Sequence, residues 1–390
     1  MLEKPDTSQA KTIELTINEA PTQAGYIYVR IAGTQVRIDF LARAELESIY
    51  TALAQAINEE IDLPVVAESA ADKLTIKTKW DDTSANQIQV SGLLYSENAK
   101  MTLQETQAIG TINLDKAFDH MGHTWYTLGV TAITDTEQLQ EAAKLAEARM
   151  DSALHMPMLV VAGSVQGYAD FNNTVKNIDS IAMQVVCVPG STTMPGVIAA
   201  DEVYKRIMCS QSQPNLSGRN MALRYTQPGS EEFTASKKEA VVKNGGSTIT
   251  ILGGAVYVDN DATTSKTVNG KKNDIWRWAS TVLNYMAKVY SLKTMLTQAP
   301  FDDYIIMNDT AVTSSPKVVK PSTVKQYMST LMQKWVDQGL SKNLDDMLES
   351  IKVSIPQGNV QSYLIEYKDD MAVAGKHIFV YNSPIISSKV

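Results

Sequence analysis

The chain has 390 residues, 44% of them apolar and 20% charged, with a net charge of −8 and a pI near 5.2. That length suits two or three domains with sizeable cores. The composition excludes a nucleic-acid groove built on a basic block, since no basic cluster is longer than two residues, as at Lys271-Lys272 in a Gly/Asn-rich turn. No run of about 18 apolar residues is present to span a membrane, and Met1-Leu2-Glu3-Lys4-Pro5 lacks the charged-then-apolar layout of a signal peptide. Two cysteines, Cys187 and Cys209, beside 17 methionines fit a reducing compartment. Cys187 lies in the apolar run 183–188 and reads as a buried small hydrophobe.

The first predicted strand runs from Gly25 to Ile31. A turn at Gly33-Thr34 leads into a second, in which Val36, Ile38 and Phe40 face one way and Gln35, Arg37 and Asp39 the other. A helix over about 44–58 follows, because Leu46, Ile49, Tyr50, Leu53 and Ile57 recur at helical spacing. Extended segments begin at Pro64 and over 73–78, and Ile88 and Val90 add a last strand. The predicted order is β-β-α-β-β, ending near Gly92.

The middle of the chain changes character. A strand is predicted over 125–130, then a helix to about Met150 with Thr134 and Asp135 as candidate caps. Segments 158–163 and 181–188 are apolar on both faces, and helices over 168–178 and 196–208 alternate with them. Strands with no polar face, separated by helices, imply a parallel sheet covered on both sides.

From Pro214 onward loops and strands dominate. Segments 247–252 and 255–259 flank Gly253-Gly254, a hairpin signal. A helix over 274–297, apolar on much of its circumference, is predicted to be buried in a core or an interface. A second helix starts behind Pro321, with Thr323 and Gln326 as a capping box and Gly339 as its stop. Extended segments 351–355, 363–367 and 377–381 read as an antiparallel meander, followed by a tail at Pro384-Ile385-Ile386. The fold class is therefore mixed α+β and α/β in three parts: 1–95, a small β-β-α-β-β domain; 96–235, a parallel α/β middle domain; and 236–390, two long helices with an antiparallel sheet and a trailing arm. Glu231-Glu232 and Asp302-Asp303 read as solvated surface.

Catalytic chemistry finds little support. The strand-to-helix turns Gly163-Ser164-Val165-Gln166-Gly167 and Pro189-Gly190-Ser191-Thr192-Thr193 match neither dinucleotide nor P-loop patterns, although the second leaves room for a backbone anion nest. His120 and His123, with Asp119 beside them, have two-ligand spacing, but Gly122 separates them and no third ligand is marked. No G-x-S-x-G elbow exists, and Cys209 has no flagged base. The expectation is a scaffold without catalytic residues, metal or cofactor. The apolar helix and the trailing last strand fit a subunit that completes itself with neighbours by strand addition, or a last strand that closes its own sheet.

Several segments, in order, resemble one family. Ala24 to Thr34, the helix with 52–58, and Asp62-Leu63-Pro64-Val65 are similar to the small domain of contractile tail sheath subunits of Mu-type myophages. Segment 254–259 with Thr263-Thr264, then Lys272-Asn273-Asp274 opening the long helix, resemble the family's later strand and turn. Val319 to Lys325, and then Gly339-Leu340 with Asn343, resemble its C-terminal helix and "G-L-x-E-N" ending, with Ser341-Lys342 replacing the usual spacing residues, the acidic one included.

The resemblance implies a hexameric ring subunit, stacked helically around an inner tail tube and contracting on triggering. It places the C-terminal domain inward and the small domain outward. Partners would be further copies of the chain, the tail tube protein, and baseplate and terminator proteins, with no nucleic acid and no membrane insertion. The location would be a virion tail assembled in the host cytoplasm. Family members carry an N-terminal arm and a strand-rich portion before the small domain, so this chain is expected to be a short variant or a fragment. Ile378, Val380, Ile385 and Ile386 are the expected inter-subunit arm residues, and Trp278, Tyr285, Val289 and Leu292 the expected tube- or neighbour-facing helix residues. A bacteriocin-like or secretion-type injection machine, and an α/β nucleotide-binding enzyme, are the alternatives.

Overall fold

A computed structural model of the chain describes residues 8–150, 155–210, 221–268, 270–272, 275–357 and 361–372. Among them no helix is long and apolar enough to cross a membrane. The fold is mixed α/β with several separate sheets.

The first part is built on two antiparallel sheets. Strands β1 (Thr12–Ile17), β2 (Gly25–Ile31) and β3 (Thr34–Phe40) precede helix α1 (Leu46–Glu59). Strands β4 (Val65–Ser69), β5 (Leu74–Thr78), β6 (Val90–Tyr95) and β7 (Met101–Thr106) follow it. The sheet orders are β4-β5-β1-β7 and β3-β2-β6. The buried stripe Ile49, Tyr50, Leu53, Ala54 and Ile57 of α1 joins Ile13, Leu15, Ile27, Val29 and Ile76 in one core. Tyr50 keeps its hydroxyl satisfied there by accepting from the Ile17 amide at 2.8 Å.

The predicted β-β-α-β-β order is thus too short at both ends. Strand β1 is one cause: its Ile13, Leu15 and Ile17 alternate cleanly with polar residues. At the other end β7 has only Met101 and Leu103 in alternation, too short a pattern to mark it; its pairing with β1 defines it. Gly92, the expected end, lies inside β6.

The middle part contains α2 (Leu114–Met121), β8 (Leu128–Thr131), α3 (Thr136–Ala148), β9 (Leu159–Ser164), α4 (Tyr168–Asn177), β10 (Met183–Cys187) and α5 (Pro195–Ser210). The sheet is β10-β9-β8, parallel throughout. Strands β9 and β10 are buried on both faces as expected, while the edge strand β8 is half-buried with Val130 exposed. Val160, Ala162, Met183, Val185 and Cys187 pack with Leu139, Ala142, Phe171 and Val175 of α3 and α4. Val161, Val186 and Val188 pack with Ile198, Ala199 and Val203 of α5. Asp135, and not Thr134, caps α3, accepting from the amides of Glu137 and Gln138. The predicted strand at 125–130 starts late, at Leu128: Trp125 turns its indole edge-on to Tyr290, 5.1 Å away, and donates to Thr127 Oγ1.

Next come β11 (Ala222–Leu223), α6 (Ala235–Lys243), β12 (Thr248–Leu252) and β13 (Ala255–Asn260), in the antiparallel order β11-β13-β12. The hairpin turn at Gly253 and Gly254 has φ of +58° and +81°, the left-handed pair that a two-residue hairpin requires. Isolated bridges from Gln184 to Thr263 and from Val186 to Ser247 continue the free edge of β10. Thr263 Oγ1 donates to Trp276 O and Thr264 Oγ1 to Ser180 O, so the buried Thr-Thr pair ties this edge to the start of the long helix.

The last part holds β14 (Thr267–Val268), β15 (Lys271–Lys272), α7 (Ala279–Leu296), β16 (Ile305–Ile306), β17 (Val318–Val319), α8 (Pro321–Asp337), α9 (Leu344–Ser350), β18 (Lys352–Ser354) and β19 (Leu364–Glu366). Helix α7 begins later than expected, because 275–277 form a 3-10 turn and Trp278 is the cap residue. The predicted capping box at Thr323 and Gln326 does not form. Pro321 occupies the first turn, Lys320 is the cap residue, and Asp309 Oδ1 accepts from the Ser322 amide. Gly339, at φ +68°, stops the helix as expected. Strands β18 and β19 pair antiparallel; the third predicted strand, 377–381, lies outside the described residues.

Candidate assembly surface

Helix α7 has a buried face of unexpected chemistry. Ser280, Thr281, Asn284 and Lys288 are buried beside Val282, Leu283 and Met286. Asn284 and Lys288 meet the last described segment of the chain. Lys288 Nζ lies 2.9 and 2.7 Å from the two oxygens of Asp369. Asn284 Nδ2 donates to Leu340 O and Ala372 O. Ser341 Oγ donates to Asp369, and the amides of Lys342 and Ala372 pair with Asp370 O and Leu340 O. Burial pushes the Lys288 ammonium below its ordinary pKa, against the opposing pull of the Asp369 hydrogen bonds and the Asp369 and Asp370 charges. Trp335 of α8 closes the site: its indole donates to Ser291 Oγ at 2.8 Å, and Lys288 lies 5.6 Å from its ring centre.

Past this anchor, α7 and α8 diverge around an open groove of about 670 Å³, lined by Tyr290, Thr294, Met295, Tyr327, Leu331 and Trp335 among others. Trp278, Tyr285, Val289 and Leu292 are all half-buried. Tyr285 is held edge-on by Trp276 at 5.3 Å, and burial raises its pKa. Leu292 packs on the core formed by α8, α9 and their surroundings. Ile378, Val380, Ile385 and Ile386 lie outside the described residues.

The two strand-to-helix turns are filled by the protein itself. A Cβ on Gly163 would stand 2.0 Å from Pro195 O, so glycine there lets α5 approach β9. At the second turn the Gly190 amide donates to Val165 O, Ser191 to Val188 O and Thr193 to Ser191 Oγ. Amides so occupied do not form an anion nest. Gly122, at φ +49°, ends α2 and puts His123 beyond the helix, while His120 Nδ1 lies 2.6 Å from Lys116 O. Among the described residues no group of three His, Cys, Asp or Glu side chains is placed to hold a metal. Cys187 is buried as expected, and burial pushes its thiol pKa far up.

An ionic network unforeseen from sequence lies under α5. Arg206 sits 2.9 Å from Glu202 and 3.5 Å from Asp261, and donates to Gln184 Oε1 at 3.1 Å. Lys205 lies 2.5 Å from the other Glu202 oxygen, and all these side chains are buried. Asp261 accepts from the Ser280 amide at the head of α7. Asp201 accepts from the amides of Arg224 and Tyr225 and from the Thr226 hydroxyl, pinning the chain around β11. The network joins β10, α5 and α7.

No family model matches the chain. Among curated proteins it is 19% identical to the Mu-like prophage FluMu tail sheath protein of Haemophilus influenzae over 369 residues, covering 92% of this chain and 75% of that one. Among solved structures it is similar to the sheath tail protein of Listeria innocua, with 13% identity, a TM-score of 0.48, and 94% and 78% of the two chains covered. It is also similar to the sheath tail protein of Desulfitobacterium hafniense, with 11% identity, a TM-score of 0.43, and 93% and 82% covered. Over most of its length the chain resembles a phage tail sheath protein, the family that its own ordered motifs single out.

Proposed function

We propose that the chain is a structural subunit of a contractile tail sheath. The observation that carries this reading is the match to a Mu-like prophage tail sheath protein along 369 residues, which runs through the small domain, the parallel sheet and the C-terminal helices alike. Copies would form hexameric rings, stack helically around an inner tube, and shorten on triggering to drive the tube through the host envelope. Residues 1–95 would form an outward domain, 96–235 a middle domain and 236–390 an inward assembly domain. The tail tube, baseplate and terminator proteins would be its partners, in a virion tail assembled in the host cytoplasm.

Contraction requires two packings of one subunit, with the extended one metastable. Arms that keep neighbours joined through the change need a firm root. The Lys288–Asp369 pair and the Asn284–Ala372 bond supply one immediately before the tail. Ile378, Val380, Ile385 and Ile386 would be the linking residues of that arm, and Trp278, Tyr285, Val289 and Leu292 would lie toward the tube or a neighbour.

Negative-stain electron microscopy and light scattering of the purified chain test the reading. Rings or striated tubes are expected. A chain that stays monomeric, even when extended at its N-terminus with the portion that the family carries there, would sink it. A chain ending at Gly375 should lose assembly while staying folded; if it still forms sheaths, the arm assignment fails.

A further inference from the structure

We propose that the solvent face of the β3-β2-β6 sheet binds a short acidic oligosaccharide, roughly two or three pyranose rings with a uronate, matched to the span of three strands. Strand alternation creates the platform. Ile27, Val29 and Ile31 of β2 are buried, so Tyr26, Tyr28 and Arg30 point away from the core. Their cross-strand neighbours complete three rows: Tyr26 between Asp39 and Tyr95, Tyr28 between Arg37 and Leu93, and Arg30 between Gln35 and Ser91.

The first row is a ready stacking surface. The Tyr26 and Tyr95 rings are parallel within 6°, with centres 5.1 Å apart. The Arg37 guanidinium lies 4.2 Å from the centre of the Tyr26 ring, held by Asp39 at 2.7 Å. The stack therefore ends in Tyr95, which is 62% exposed. Among the described residues no further ring or cation lies against it. An aromatic face is electron-rich and attracts the polarised C–H bonds of a pyranose.

The third row supplies the charge. Arg37 is answered by Asp39, but no carboxylate among the described residues forms an ion pair with Arg30, whose hydrogen bond goes to Gln35 Oε1 at 3.3 Å. A guanidinium pairs bidentately with a carboxylate. Arg30 and Ser91 also border a cleft of about 360 Å³ with Gln89, whose amide side chain suits a sugar hydroxyl; Lys11, paired with Glu105, lines the same cleft.

Size selects the occupant. β3 and β6 are both edge strands of their sheet. The platform spans about 10 Å across the strands and about 13 Å along them. That span matches roughly two or three pyranose rings.

Isothermal titration of the full chain with oligogalacturonate, alginate and hyaluronan trimers to tetramers, and with neutral maltotriose, tests the site. Saturable binding to at least one uronate probe is expected, weakened about tenfold or more by Tyr95→Ala and by Arg30→Ala. Both residues are exposed, so the fold should survive both substitutions, with a small drop in melting temperature for Tyr95→Ala from the lost Tyr26 pair. No saturable binding to any uronate probe, binding that survives both substitutions, or maltotriose binding as tight as the best uronate would each overturn the proposal.

Discussion

The Lys288 ammonium and the Asp369 carboxylate, 81 residues apart in sequence, meet at 2.7 Å in a nearly closed site under Trp335. The pair fastens the last described segment to the buried face of α7. Removing one partner of such a pair strands the other without its counter-charge. Lys288→Met and Asp369→Leu should therefore each cost about 3 kcal/mol, and the two together much less than their sum. Urea unfolding of the two single variants and the double variant gives the coupling directly.

Arg206 stands between two buried carboxylates, Glu202 and Asp261, and links α5 to the head of α7. Arg206→Ala should cost about 3–5 kcal/mol, because the buried pair Glu202 and Asp261 is left with Lys205 alone, which lies against Glu202. Glu202→Gln should cost at least as much, since it leaves the buried Lys205 and Arg206 cations facing Asp261 alone. Denaturant midpoints of the two variants will rank them.

Gly163→Ala should lower stability by about 2–3 kcal/mol, since the new Cβ meets the Pro195 carbonyl of a close-packed helix N-terminus. Gly167→Ala, where a Cβ would meet nothing within 4 Å, should be nearly neutral. Equal melting temperatures for the two variants would contradict this packing.

Asp259 and Lys238 predict the shape of the pH profile. Desolvation is the largest single influence on Asp259 and opposes its ionisation. The Thr248 and Thr250 hydroxyls and the Lys238 ammonium together outweigh it and hold the pKa below the usual carboxylate value. Desolvation likewise opposes the Lys238 charge, but Glu232 and Asp259 raise its pKa above the ordinary value. The Asp259 contribution is full above about pH 4 and is lost as pH falls through the depressed pKa; that of Lys238 is full below about pH 10 and is lost as pH rises through the raised one. Asp259→Asn should cost about 2 kcal/mol at pH 7. That difference should shrink toward zero in urea titrations carried below pH 4.

Elements whose partners are close in sequence were the legible ones. The α1 stripe, the doubly buried β9 and β10, the Gly253-Gly254 hairpin and the Gly339 stop each rest on a pattern within a few residues. Helices α2, α6 and α9 escaped notice because each is short and has at most one buried residue to mark a face. The α8 cap was misread for a related reason: its true acceptor, Asp309, lies 13 residues upstream of the amide that it serves.

Periodicity and turn chemistry report on which side of an element is apolar, because that information is local. On that basis the residues alone pointed to the parallel α/β sheet of β8, β9 and β10, and the order of the motifs pointed to a tail sheath. Which polar groups share the interior is a different kind of fact. Lys288 with Asp369, Arg206 with Asp261, and the rows of the Tyr26 platform join residues tens of positions apart. Each of them looks like a solvated charge or an ordinary surface aromatic in the sequence. Only when helices and strands pack does burial decide which charges must find partners and which rings stand together.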